Sequence, residues 1–239
     1  MLSKFTNDFQ NEQILHKLMV ENWLYDILKN KWIQFIKESD STQEQDSGID
    51  FVGKYWTHTV YIDEKTRFTI PIYTKKINYT FALEISNSES RKLWWFLDNH
   101  KKTHYYLLLY PILDKNIWND TRNYLIDEKW SIQWTEIQVM WVMGQLISVE
   151  KLRRYIGKFL DKHALCSFIK KHYIKNIHDT WTKYYDTWFN EIQKKERKNM
   201  YFTYTPCLKE RPINLILQQS IYEQLREFEI YIDFKKDFP

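Results

Sequence analysis

Glycine and proline are scarce in this chain: Gly 4 and Pro 5 among 239 residues. Average usage would put glycine near about 7%. The four glycines stand at Gly48, Gly53, Gly144 and Gly157. From those positions neither a GxGxxG dinucleotide fingerprint nor a GxSxG nucleophile elbow can be written. Collagen-like repeats and Gly-rich linkers are excluded as well. Cysteine is nearly absent, and Cys166 and Cys207 cannot make a disulfide framework. They fit a reducing, intracellular setting. Long apolar runs are missing too. The longest uncharged stretch, 13 residues from Ile137 to Val149, falls short of the about 20 that span a bilayer. The N-terminal MLSKFTNDFQNEQ has no apolar h-region, so no signal peptide is expected. The expectation is a cytoplasmic protein with no membrane partner.

What the chain does have is aromatics. Trp 11, Tyr 17 and Phe 14 make up 18% of it. With 44% hydrophobic and 28% charged residues, it can bury a sizeable core. The formal net charge is only +4, but its distribution is uneven. Residues 1–110 hold 14 Lys/Arg against 14 Asp/Glu, whereas residues 150–211 hold 15 against 7, a local net of +8. A basic stretch interleaved with aromatics is the footprint of a polyanion partner. Lys-rich helical faces that are merely solvated give the same composition.

Periodicity organises the chain coarsely. Residues 9–36 read as an amphipathic helix, with Ile14, Leu15, Leu18, Met19, Ile27 and Leu28 at helical spacing and Trp32, Phe35 and Ile36 extending the stripe. The polar segment Glu38–Gly48 is a loop. Ile49–Lys54, Thr57–Lys65 and Tyr79–Ser86 are rich in β-branched and aromatic residues, the strand signature. His104–Ile112 is an almost continuous apolar run, stopped by Pro111, as in a strand buried on both faces. After residue 113 the chain reads as helical in character. Ser148-Val149-Glu150 opens a helix to about Leu160, Asp179–Asn199 reads as a long helix, Ile213–Leu217 as a late strand and Ser220–Phe228 as a final helix. The order argues for α/β or α+β organisation without a linker.

Two apparent motifs fail on chemistry. Gly48 through Gly53-Lys54-Tyr55 nearly spells GxxxxGK[ST]. Tyr55 cannot supply the Mg²⁺-binding hydroxyl, no strand precedes the loop, and Asp50 inside it would repel phosphate. His163 and Cys166, followed by His172 and His178, lack the paired spacing of a zinc site.

A third constellation carries chemistry. Asp50 opens the first strand, twelve residues lie between it and Asp63, and Asp63-Glu64-Lys65 closes the second. Paired as a hairpin, those strands bring Asp50 and Asp63 together, and Asp63 and Lys65, two apart, share a face. Two carboxylates beside an ammonium are costly for a fold but productive for phosphodiester hydrolysis. The carboxylates hold Mg²⁺ and the lysine positions water or stabilises the pentavalent charge. Glu84, inside the apolar strand FALEIS, is a further acid of the kind that is rarely silent unless paired. The competing reading is a surface hairpin with ordinary Asp/Lys pairs.

An N-terminal helix, then Asp46-x-Gly48-Ile49-Asp50, then a hairpin ending in Tyr61-Ile62-Asp63-Glu64-Lys65, resembles the PD-(D/E)xK nuclease superfamily over roughly residues 9–112. The resemblance implies a restriction-endonuclease-like α/β core, a mixed sheet with flanking helices, and helical additions in a basic portion, 113–239, of one domain. It implies Mg²⁺ or Mn²⁺ on Asp50 and Asp63, with Lys65 catalytic and Glu84 and an acid of the first helix, Glu21 rather than Glu12, as further ligands. Two departures stand out. Ile49 occupies the proline position, and Glu64 is acidic where the family is usually apolar. On strict alternation Glu64 would point to the sheet's other face; either it sits at the frayed strand end or a shifted register makes it a ligand. The implied function is metal-dependent cleavage of nucleic acid, DNA by preference, by an enzyme that can act as a homodimer. Lys194, Lys195, Arg197 and Lys198 would grip phosphates. The alternative is a nuclease-fold protein that no longer cuts and serves as a nucleic-acid- or protein-binding module.

Overall fold

The computed structural model describes residues 24–30, 33–39, 47–66, 81–86, 101–113, 139–159, 199–204 and 213–233, with residues 13, 15–17, 41, 44, 161 and 163 besides. Over these the architecture is mixed α/β, with two sheets and few helices. The elements are α1 (Leu24–Asn30), β1 (Ile33–Glu38), β2 (Phe51–Tyr55), β3 (His58–Thr66), β4 (Phe81–Ser86), β5 (Tyr105–Leu113), β6 (Val139–Ser148), α2 (Val149–Gly157), β7 (Met200–Tyr204), β8 (Ile213–Leu217), α3 (Gln219–Leu225) and β9 (Arg226–Asp233).

The larger sheet has six strands in the order β1-β2-β3-β5-β6-β9. Only the β3–β5 pair is parallel, with Asp63 beside Tyr106; the other neighbours run antiparallel. A parallel pair needs a long crossover. The chain between β3 and β5 supplies it and contains β4, which joins the second sheet, β4-β8-β7.

Alternation sorts the side chains of the larger sheet onto two faces. Val60 and Ile62 of β3 point the same way as Leu107 and Leu109 of β5, Val142 and Leu146 of β6 and Ile230 and Ile232 of β9. Leu15 and Leu28 from the N-terminal segment pack into this cluster. Each such side chain contributes about 1.5–3 kcal/mol when fully buried. Gly144 lies opposite Leu109 on that face, where an added Cβ would stand 3.2 Å from the Leu109 side chain. The other face carries Tyr61, Asp63 and Lys65, followed across the sheet by Tyr106, Leu108 and Tyr110 and by Met143, Gln145 and Ile147. Leu107 to Tyr110 are all buried, so β5 is covered on both sides.

Several expectations hold. The strands around 49–54, 57–65, 79–86 and 213–217 are β2, β3, β4 and β8. Ser148 caps α2, its hydroxyl accepting from the Lys151 amide.

Others need correction. Phe35 and Ile36 extend no helix. They belong to β1, an edge strand whose pairing with β2 outweighs a stripe that fits either period. Pro111 does not stop β5. Among the described residues the last β3 pair is Thr66 with Leu109, so none of the described β3 pairs needs the N–H that Pro111 lacks. The described part after residue 113 is not predominantly helical, since it holds β6 to β9. Within β6 the side chains from Val142 to Ile147 are buried on both faces, which removes the alternation that marks a strand. The last helix ends at Leu225 and the chain continues as β9. The expected helix 179–199 lies outside the described residues apart from Asn199. Among the described residues no helix is long and apolar enough to cross a membrane.

Candidate functional site

The site forms where β2 begins and β3 approaches its end. Gly48 adopts φ 76°, a left-handed conformation that suits glycine, and turns the chain into β2. The Gly48 carbonyl accepts from the buried Thr103 hydroxyl at 2.8 Å. Asp50 is then fixed by its backbone: its N–H donates to the Ile62 carbonyl at 2.9 Å and its carbonyl accepts from Ser39 N–H at 2.7 Å. One oxygen of its carboxylate, Oδ2, accepts from the Glu64 backbone N–H at 2.6 Å. The Asp50 side chain is thereby anchored across the hairpin.

Asp63 is buried, at 1% exposure. Its Oδ1 is ion-paired with Lys65 Nζ. Its Oδ2 is buried and finds no hydrogen-bond donor among the described residues. Burial pushes the Asp63 carboxyl up to about 8; Lys65 pulls the other way, and the Asp50 carboxylate beside it pushes further up. Burial outweighs Lys65, so the protonated form is favoured. Tyr106, its neighbour on β5, is raised by burial and by the Asp63 charge, with Arg153 of α2 opposing.

The structure thus brings Asp50, Asp63 and Lys65 together. Alternation continues through Asp63-Glu64-Lys65 and turns Glu64 to the opposite face. There His16 Nδ1 lies 3.4 Å from its carboxylate, Glu38 lies 3.6 Å from the other ring nitrogen of His16, and the ring stacks on Phe51. The hydrogen bond to Glu64 raises His16, and burial raises Glu64 against the pull of His16. Glu84 is not on this sheet. It lies in β4 of the second sheet, opposite Asn214, and its side chain is outside the described residues. Glu21, Asp46, Lys194, Lys195, Arg197 and Lys198 also lie outside them.

The donor set can be tested against a divalent cation. Among the described residues no group of three or more His, Cys, Asp or Glu side chains is arranged to hold a metal. Mg²⁺ requires fewer, since it is usually bound by one or two carboxylates with water and phosphate oxygens completing the shell. Asp50 and the donorless Oδ2 of Asp63 meet that requirement.

Sequence reasoning missed His16, Tyr106 and Arg153. His16 precedes Glu64 by 48 residues, and nothing local marks it. Tyr106 was hidden in an apolar run; only the β3–β5 register places it beside Asp63.

No protein-family model, curated protein or solved structure matches the chain.

Proposed function

We propose that the protein is a metal-dependent nuclease of the PD-(D/E)xK type that hydrolyses phosphodiester bonds of nucleic acid, DNA before RNA. One observation carries the reading. Asp50, Asp63 and Lys65 meet on one face of the β2–β3 hairpin, and a buried Asp63 oxygen there has no donor among the described residues. A hairpin followed by a parallel strand, with α1 before it, supports a restriction-endonuclease-like core.

Asp50 and Asp63 would hold Mg²⁺ or Mn²⁺. When bound, the ion polarises the phosphate and lowers the pKa of an attacking water. Lys65 would leave its ion pair with Asp63 to stabilise charge developing on the phosphate oxygens or to hold the water. Glu64 serves the hairpin from the far side: its backbone N–H orients Asp50 while its carboxylate pairs with His16.

The test is cleavage of labelled single- and double-stranded DNA in Mg²⁺ or Mn²⁺ by wild type and Asp63→Ala, alongside calorimetry of metal binding. Asp63→Ala abolishes metal-dependent cleavage and leaves the fold intact. Full activity in that variant removes the assignment. Nucleic-acid binding without cleavage and without metal binding makes the chain an inactive module.

A further inference from the structure

Beside Asp63 the larger sheet has a notch. The β2–β3 hairpin projects past the point where β5 begins and β6 ends, and α2 starts across the gap. The resulting cleft has a volume of about 780 Å³, within the roughly 300–1,000 Å³ of sites that enclose organic ligands. Two kinds of side chain dominate its wall.

The first kind is aromatic. Tyr61 and His104 stack with ring centroids 5.2 Å apart and an interplanar angle of 22°. The Tyr61 backbone N–H donates to His104 Nδ1 at 3.0 Å, and the His104 backbone N–H donates to the Tyr61 carbonyl at 2.9 Å. These bonds lock the imidazole in place with Nδ1 as acceptor, and burial lowers its proton affinity. The pair is a fixed, neutral π-surface, so little conformational entropy is lost when something stacks on it. At the rim, between the lining residues Tyr55 and His58, Trp56 is 71% exposed and holds φ at 55°. A bulky residue in that conformation costs energy and marks a candidate functional position.

The second kind is cationic. Lys101, Lys102 and Arg153 line the cleft. The acid among them, Glu150, is bound by Arg154 at 2.5 Å. The balance favours an anion.

We infer that this cleft is a subsite for single-stranded nucleic acid, in which an unpaired base stacks on the Tyr61–His104 pair and its phosphates meet Lys101, Lys102 and Arg153. A duplex base has both faces covered, whereas an unpaired base offers its π-face to aromatic side chains. Tyr61 and Asp63 lie on the same face of β3, roughly 7 Å apart. That is within the span of one extended nucleotide, so a base seated here belongs to the nucleotide adjoining the phosphate at Asp63. Only this alignment rests on the nuclease reading.

The experiment is fluorescence anisotropy of a labelled dT12 oligonucleotide, and of a duplex of equal length, with the full chain in EDTA. The single strand binds at least about tenfold more tightly than the duplex. Tyr61→Thr and His104→Ala each weaken it about fivefold or more, as expected for losing one stacked base, while Tyr61→Phe stays within about twofold. Lys102→Ala lowers the slope of log affinity against log salt by about one. Equal binding of single strand and duplex, or wild-type binding by folded Tyr61→Thr and His104→Ala, overturns the subsite. If Tyr61→Thr does not fold, the exposed Trp56→Ala decides, with a loss of about threefold or more supporting the cleft and none overturning it. Because no metal is present, the inference survives if the chain proves unable to cut. Cleavage that persists in Mg²⁺ while these binding differences are absent removes the cleft alone.

Discussion

Asp63 and Glu64 are consecutive acids on one strand, both withdrawn from water, and the fold treats them in opposite ways. On one face Glu64 is compensated. His16 sits 3.4 Å away, held from its far side by Glu38 and stacked on Phe51. On the other face Asp63 is less fully matched: Lys65 takes one oxygen, the Asp50 carboxylate lies beside it, and among the described residues none donates to Oδ2. A buried polar atom without a partner costs about 1–3 kcal/mol, more when charged. On the nuclease reading proposed above, the second acid is the one that would meet the cation. The compensated acid is a structural device, and the uncompensated one is where chemistry is expected.

The largest effect that tests this contrast is on cleavage. Removing the Asp63 carboxylate should lower metal-dependent cleavage by on the order of 10²–10³-fold or more, the scale of losing a group that organises transition-state charge. Glu64→Gln should stay within about tenfold of wild type in the same assay. Equal losses in the two variants would mean that both acids serve the site and that the two faces do not differ.

The next effect is on stability, and its order reverses. His16→Ala leaves Glu64 buried without its partner and should destabilise the chain by about 1–2 kcal/mol, a value reduced because the His16 side chain is 35% exposed. Asp63→Asn replaces a carboxyl whose ionised form burial disfavours with a neutral isostere and should, in EDTA, unfold at an equal or higher denaturant midpoint than wild type. A clear loss of stability in Asp63→Asn would show that the Lys65 ion pair outweighs the desolvation of Asp63.

The spacing of Asp50, Asp63 and Lys65 was legible in the sequence because a hairpin is local. Alternation and twelve intervening residues suffice to place them on one face. The position of Glu64 was legible only as an alternative, since deciding it required the register of β3. What lay beyond reach was non-local. His16 meets Glu64 through the docking of the N-terminal segment, and Tyr106 reaches Asp63 through a parallel pairing that no short-range signal specifies. The same blindness explains β1 and β6. Phe35 and Ile36 fit a helical stripe until β2 claims their backbone. A strand covered on both faces, as β6 is from Val142 to Ile147, shows no period for sequence reading to find.

The last effect is in the pH dependence of stability, and it separates the two faces by pH range and by metal. The Asp63 carboxyl is raised from 3.8 to about 8, so the folded state holds a proton that the unfolded chain has released. Its contribution is therefore fully present below about pH 4 and is lost as pH rises towards about 8. His16 is also raised, from 6.5, by its bond to Glu64. Its contribution is full below that value and is lost as pH rises through the folded pKa. Metal-free wild type should accordingly lose a few degrees of melting temperature between pH 5 and pH 9. Asp63→Asn should flatten that slope from about pH 4 up to about pH 8, and His16→Ala only the part above about pH 6.5. Mg²⁺ at millimolar concentration competes with the proton only at Asp63. It should therefore raise the melting temperature more at pH 8 than at pH 6 in wild type and in His16→Ala, and at neither pH in Asp63→Asn. A Mg²⁺ shift that is independent of pH, or that persists in Asp63→Asn, would place the cation elsewhere and leave the donorless oxygen of Asp63 without its explanation.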